Sequence, residues 1–293
     1  MLNVAVTGAT GAQGGATARA LLTAGHHVRA LTRRPDSLAA DALRGLGADV
    51  RHADFDDRTS LDAALFGADS LFAVTTPFGA DTATETLQGK TLVDAAAAAG
   101  LQHVVFTSAA HADRHTGVPH YESKHLVERH LRESTVPWTV IAPAAFMDNY
   151  ASGWTLEGLR QGVFAWPMPA DRPLTLIPAT DIGTFAALVL QRRDEFAGRR
   201  IDIASDECTP AEMAEILTGA IGRPIGHQEV PLTHVRSRSA DLAAMFEYFS
   251  TSGLDVDVAG LHRDYPEVGW HSFTDWAANQ DWTALLASVP AHQ

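Results

Sequence analysis

The residues whose types and spacing suit a chemical site begin close to the N-terminus. A short apolar run, Val4-Ala5-Val6, leads directly into Thr7-Gly8-Ala9-Thr10-Gly11-Ala12-Gln13-Gly14. A glycine triplet between an apolar strand and a helix is the arrangement that cradles a diphosphate. Gly8 permits the tight turn, Gly11 lets the backbone approach the phosphates, and Gly14 lets helix and strand pack closely. The helix N-terminus then presents unpaired N–H groups and a positive dipole end to the anion. About twenty residues on, a site for NAD would place Asp or Glu against the ribose 2′-hydroxyl. This chain carries Thr32-Arg33-Arg34 there. Guanidinium groups match a 2′-phosphate that a carboxylate would repel, so the expected cofactor is NADP(H), preferred over NAD(H). Arg33 is the expected main contact, with Arg34 beside it; two solvated loop arginines are the alternative. Asp54-Phe55 stands where an adenine edge and face would be read, the alternative being a helix cap by Asp54 or Asp56.

A second group is His120, Tyr121 and Lys124, with Ser108 upstream. The four-residue spacing puts His120 and Lys124 on one helix face, and Tyr121 is turned by about 100° from His120. An imidazole suits proton transfer near neutrality, which makes His120 one candidate proton donor. Tyr121 serves instead if the helix begins late and its ring turns inward. A third reading binds nucleotide without chemistry and leaves His120 an ordinary helix-start residue. Ser108, ending a strand, either orients a carbonyl oxygen or acts as a strand-end cap.

These residues need elements to hold them. Apolar runs predict strands over 4–6, 27–32, 49–52, 70–75, 103–108 and 138–142, alternating with helical stretches such as 16–24, 85–99 and 121–134. This alternation implies βαβ units on a Rossmann-type doubly wound parallel sheet, an α/β fold with ligands at the carboxyl ends of its strands. After Pro143 the rhythm changes to aromatic, Gly- and Pro-rich sequence, with a strand over 174–177, a helix over 182–192 and a strand over 201–203. Thr209-Pro210 reads as a hydroxyl cap followed by a first-turn proline. The expected organisation is a nucleotide-binding domain over 1–150 and a smaller α+β substrate domain over 151–293. Return elements of the first domain are expected at about 174–204.

Taken together, the 8–13 turn, the 32–37 segment, Asp54, Gln88-Gly89-Lys90 and His120-Tyr121-Glu122-Ser123-Lys124 resemble the NmrA-like family of atypical short-chain dehydrogenases. The resemblance covers nearly the whole chain, including 143–149 and 246–276. It implies that Gly8, Ala9, Thr10, Gly11, Ala12 and Gln13 hold the pyrophosphate and Arg33 the 2′-phosphate. Asp54 and Phe55 would lie by the adenine, and Thr75, Thr76 and Pro77 along the adenosine and ribose. Lys90 and Lys124 would reach toward the nicotinamide end, with Phe146 and Asn149 near the nicotinamide or the substrate. Ordinary short-chain dehydrogenases place Tyr four residues before the Lys; here that position is His120.

The implied activity is an NAD(P)H-dependent reductase of quinone or small carbonyl substrates. A quinone asks less of the protein than a carbonyl does, because its oxygens take up protons readily once reduced. The alternative is a non-catalytic NADPH-binding redox sensor acting through a protein partner. A small-molecule substrate, and a homodimer or a regulatory protein partner, are the associations this implies.

Other classes are disfavoured by composition. The 293 residues carry 22 basic and 35 acidic side chains, a net charge of −13. That balance argues against nucleic acid and anionic membrane partners, which need clustered Lys and Arg. The alanine-rich stretch 93–99 is far short of the ~20 apolar residues of a membrane span, and residues 1–6 lack the pattern of a secretory signal, so the cytoplasm is expected. The single Cys208 excludes an intramolecular disulfide; its place before a helix either lowers its pKa or simply packs it. His111 and His115 flank Asp113 without an evident third ligand, so no metal is expected. Aromatic residues between Trp154 and Trp166 line a pocket or form the small domain's core.

Overall fold

A computed structural model describes residues 1–78 and 80–287. From the N-terminus the chain alternates β1 (Asn3–Val6), α1 (Ala12–Thr23), β2 (His27–Thr32), α2 (Leu38–Gly45), β3 (Asp49–His52) and α3 (Arg58–Leu65). It continues with β4 (Ser70–Val74), α4 (Thr82–Ala98), β5 (His103–Thr107), α5 (Pro119–Glu133) and β6 (Trp138–Pro143). Then come β7 (Ala145–Phe146), α6 (Gly153–Arg160), β8 (Val163–Trp166), β9 (Leu174–Ile177), α7 (Ala179–Gln191), α8 (Arg193–Phe196) and β10 (Arg200–Ile203). β11 (Asp206–Cys208), α9 (Pro210–Ile221) and β12 (Gly226–Glu229) precede short helices that include Ala240–Thr251 and Phe273–Ala278.

Seven strands form one sheet in the order β10-β6-β5-β4-β1-β2-β3. β1 pairs in parallel with both β2 and β4, so the strand order reverses beside the glycine turn. The parallel, doubly wound sheet expected from the alternation is present, and its reversal point is where this architecture opens a crevice for ligands. β1 and β5 are buried along most or all of their length, which is why they read as continuous apolar runs. On one face Leu61, Leu65, Leu92, Val93, Val127 and Leu131 from α3, α4 and α5 pack on Leu71, Val104, Phe106 and Val140. α4 and α5 approach closely, because a Cβ at Gly89 would lie 2.5 Å from a Val127 methyl.

Two compact units divide the chain: Met1–Pro143 with Ala179–Asp202, and Ala144–Pro178 with the residues from Ile203 onward. The first stretch therefore ends at Pro143 rather than near 150. The return segment begins at Ala179 rather than 174, because β9 pairs antiparallel with β11 and parallel with β7 in the second unit's own sheet. In that unit Tyr150 is fully buried, with Phe164, Trp166, Phe273 and Trp276 around its ring. The second unit is thus a small α+β assembly with an aromatic core. None of the described helices is long and apolar enough to cross a membrane.

Candidate functional site

At the end of β1 the Thr7 hydroxyl accepts from Val74 N–H at 2.8 Å and reaches the Val74 carbonyl at 3.2 Å, tying β1 to β4 at the reversal point. Gly8 follows with φ +57, in the left-handed region. Gly11 N–H donates to the Gly8 carbonyl at 2.9 Å, closing the turn. A Cβ on Gly14 would lie 2.4 Å from the Gly8 carbonyl oxygen, so no larger residue lets α1 start this close to β1. Gly11 caps α1 in an extended conformation with no side-chain acceptor, leaving the first-turn N–H groups for another partner. Gly8, Thr10, Gly11 and Ala12 are exposed, whereas Ala9 and Gly14 are buried and act by packing. Gln13 accepts a hydrogen bond from the Thr107 hydroxyl at 2.7 Å, which fastens the helix start to the end of β5.

Arg33 and Arg34 are exposed just beyond β2, where Arg34 N–H donates to the Thr32 hydroxyl at 3.1 Å. Beyond β3, the Asp54 carboxylate accepts from Asp56 N–H at 3.1 Å, while Phe55 packs half-buried against the core. The cap of α3 is neither Asp54 nor Asp56. Asp57 supplies it, accepting from Thr59 and Ser60 N–H. Thr75 and Pro77 are buried after β4 and Thr76 is exposed. Lys90 is half-buried on α4.

A buried polar cluster lies beyond the carboxyl end of β4. Lys124 Nζ donates to the Thr75 carbonyl at 3.0 Å and to Glu85 Oε1 at 2.9 Å. Glu85 is fully buried and also accepts from the Thr75 hydroxyl at 3.0 Å and the Ser123 hydroxyl at 2.5 Å. Sequence reasoning missed Glu85. A signal was present, because Glu85, Gly89, Leu92 and Ala96 follow the helical repeat on one buried stripe of α4.

α5 begins at Pro119, so His120 and Tyr121 both lie in its first turn. The reading that uses Tyr121 assumed a later start, and the proline at the first helical position removes that premise. Both side chains are buried, their rings edge-on with centroids 4.8 Å apart, and the exposed Phe78 ring lies 5.9 Å from His120. The Ser108 hydroxyl donates to the fully buried Glu128 at 2.5 Å.

His111 and His115 flank a single 3-10 turn at Ala112–Arg114, both in the left-handed region, and not a helix that would face them together. Among the described residues no group of three or more His, Cys, Asp or Glu has the geometry to hold a metal. In the second unit Phe146 is half-buried on β7 and Asn149 is exposed in the turn that follows. Trp154 is partly exposed and stacks on Trp166 at 5.3 Å. Cys208 takes the packed alternative. Burial, with Asp206 beside it, pushes the thiol pKa up rather than down, despite the helix that Thr209 caps next to it.

A sequence model of the NmrA-like family matches residues 2–278. The chain belongs to the NmrA-like family. Among NmrA-like and related proteins, it is 32% identical to the (4-alkanoyl-5-oxo-2,5-dihydrofuran-3-yl)methyl phosphate reductase of Streptomyces griseus, over 99% of this chain and 91% of that protein. It is 27% identical to quinone oxidoreductase 2 of Escherichia coli, over 78% of this chain and 77% of that one. Its fold is similar to the triphenylmethane reductase of Citrobacter sp. solved with NADP(H), with TM-score 0.77 and 23% identity over 89% of this chain and 94% of that one. The NmrA-like glycine turn, the uncapped α1 and the Lys124 cluster are thus parts of one unit of this chain. Chemically they offer a diphosphate seat and a cation held in place by a buried carboxylate.

Proposed function

We propose that this NmrA-like protein binds NADP(H) in its first unit and uses it to reduce a quinone or a small carbonyl compound. The observation that carries the reading is the turn after β1. Gly8 takes a left-handed conformation, Gly14 leaves no room for a Cβ, and the first turn of α1 has no side-chain cap. Such a turn fits a diphosphate held by backbone N–H groups. Arg33, with Arg34 beside it, would take the 2′-phosphate, since no carboxylate ends β2. Asp54 and Phe55 would flank the adenine, and Thr75, Thr76 and Pro77 the ribose. Lys124 would give a hydrogen bond to the nicotinamide ribose, with Lys90 toward the same end. Bound there, the cofactor would supply a hydride. His120, four residues before Lys124, would give the proton. The reductase relatives and the NADP(H)-bound structural neighbour support this reading.

Calorimetric titration with NADPH and NADH tests the cofactor. NADPH should bind at least about tenfold tighter, the worth of one charge-assisted contact, and Arg33→Ala should remove most of that preference. Equal affinity for the two nucleotides would overturn the assignment. Oxidation of NADPH with a panel of quinones and aldehydes tests the activity. Turnover that disappears in Lys124→Ala is expected, and no turnover with any of them would overturn the reductase reading.

A further inference from the structure

An ammonium group has three N–H donors. Lys124 uses one on the Thr75 carbonyl and one on Glu85, and its side chain remains 12% exposed. One donor is left. The carboxylate that holds it has no exposure at all and gathers three donors from two elements: Thr75 after β4, and Ser123 and Lys124 on α5. Glu85 itself sits in the first turn of α4, whose positive end favours a carboxylate. A lysine stem is long and samples many rotamers unless something holds its end.

We propose that Glu85 is the positioning residue of the nucleotide site, fixing Lys124 Nζ against the end of β4 so that a single N–H is offered to the ligand. This rests on the reading of Lys124 as a contact to the nicotinamide ribose. In this arrangement Lys124 is an anchor with one direction, and the proton of the reduction comes from another group. Glu85 touches no ligand itself; it acts through Lys124.

The test compares wild type, Glu85→Gln, Lys124→Met and the double variant, reading NADPH affinity by calorimetry and the midpoint of urea unfolding. Glu85→Gln keeps the shape and removes the charge, and should weaken NADPH binding about tenfold. In the double variant the loss of affinity should equal that of Lys124→Met alone, because Glu85 has no effect without its lysine. The unfolding midpoint should move the other way. Lys124→Met strands a buried carboxylate, and the double variant, with no buried charge left, should unfold at higher urea than Lys124→Met.

A lowered midpoint with unchanged NADPH affinity in Glu85→Gln would make the residue purely structural and overturn the proposal. Additive affinity losses in the double variant would overturn it as well. If wild type binds no NADPH, the cofactor reading fails and takes the proposal with it. If wild type binds and Glu85→Gln binds equally, the proposal alone falls. Should Glu85→Gln not fold, Ser123→Ala removes the hydrogen bond to Oε2 together with the longer one to the His120 carbonyl at 3.1 Å. It should weaken NADPH binding about threefold in wild type and not at all on the Lys124→Met background, and an unchanged affinity in wild type would overturn the proposal.

Discussion

Two buried glutamates of the first unit have nearly the same surroundings and different consequences. Glu85 and Glu128 are both fully buried, and each accepts a serine hydroxyl at 2.5 Å and pairs with a cation. The cation of Glu128 is Arg200, and each of its guanidinium nitrogens has an acceptor within the protein. Nε reaches Glu128 at 3.1 Å, Nη1 reaches Asp202, and Nη2 reaches the Ala109 carbonyl at 3.0 Å. Asp113 lies 3.3 Å from the same guanidinium, and Arg132 gives Glu128 a second cation at 3.0 Å. Burial alone would lower the Arg200 pKa, but Glu128, Asp202 and Asp113 together hold it above its ordinary value. Lys124, by contrast, meets one carboxylate and one backbone carbonyl, where Arg200 faces three carboxylates. What separates a structural ion cluster from a poised one here is not the burial of the carboxylate. It is how many carboxylates surround the cation.

The sharpest way to break that comparison is to remove Arg200. Arg200→Met would leave Glu128 with Ser108 and Arg132, and Asp202 without its nearest cation. Breaking a buried pair from one side costs about 3–5 kcal/mol, which urea unfolding would read directly. NADPH affinity of the folded protein should not change. A stability loss below about 1 kcal/mol, or a large loss of affinity, would mean that the two clusters do not divide the work as described.

The sequence was legible where physics is local. The βαβ rhythm, the glycine turn and Thr209 as a helix cap each follow from neighbouring residues, and the strands fall close to their expected bounds. Helix starts were harder. α1 begins at Ala12 rather than 16 because Gly14 and Gly15, poor helix formers, are carried for close packing. α4 begins at Thr82 rather than 85, capped by Asp81. Glu128 was illegible for another reason. On a helix as polar as α5, Glu128 reads as a solvated residue, and its main partner, Arg200, lies 72 residues further on. Cys208 shows competition between two rules, a helix start that lowers a thiol pKa and burial that raises it; burial wins. β11 and β12, Asp-Glu-Cys and Gly-His-Gln-Glu, carry no strand pattern of their own and exist because a neighbouring strand pairs with them.

Acid sensitivity sharpens the comparison further, because a third buried group should account for most of it. His103, at the start of β5, has no exposure, and burial, aided by the Arg193 charge, lowers its pKa from 6.5 to about 4. The Thr139 hydroxyl donates to the Phe196 carbonyl at 2.8 Å, so His103 Nε2, 2.8 Å from that hydroxyl, must be the donor to it. Nδ1 is buried without a partner, and a proton added there would have no acceptor. As pH falls, the unfolded chain takes up this proton below about 6.5 and the folded chain does not until about 4, so stability is lost across that window. Between pH 7 and pH 5 the loss should be about 2 kcal/mol, and His103→Leu should flatten it. A slope that persists in that variant would show that His103 does not carry the acid sensitivity.

The smallest expected effect separates the two serines. Ser108 and Ser123 donate to their glutamates at the same distance, yet only Ser123 shares its carboxylate with Lys124. Ser108→Ala removes one hydrogen bond from a carboxylate that still faces Arg200 and Arg132. It should cost about 1–2 kcal/mol of stability and leave NADPH affinity and kcat within about twofold of wild type. Unfolding and steady-state kinetics on the same preparation would show both quantities. If kcat instead falls more than about tenfold with stability hardly changed, the Ser108 hydroxyl must leave Glu128 to meet the substrate, and the Glu128 cluster would join the reactive site. If both parameters hold, the serine ending β5 is a support for the ion cluster, and the chemistry lies with the residues around Lys124.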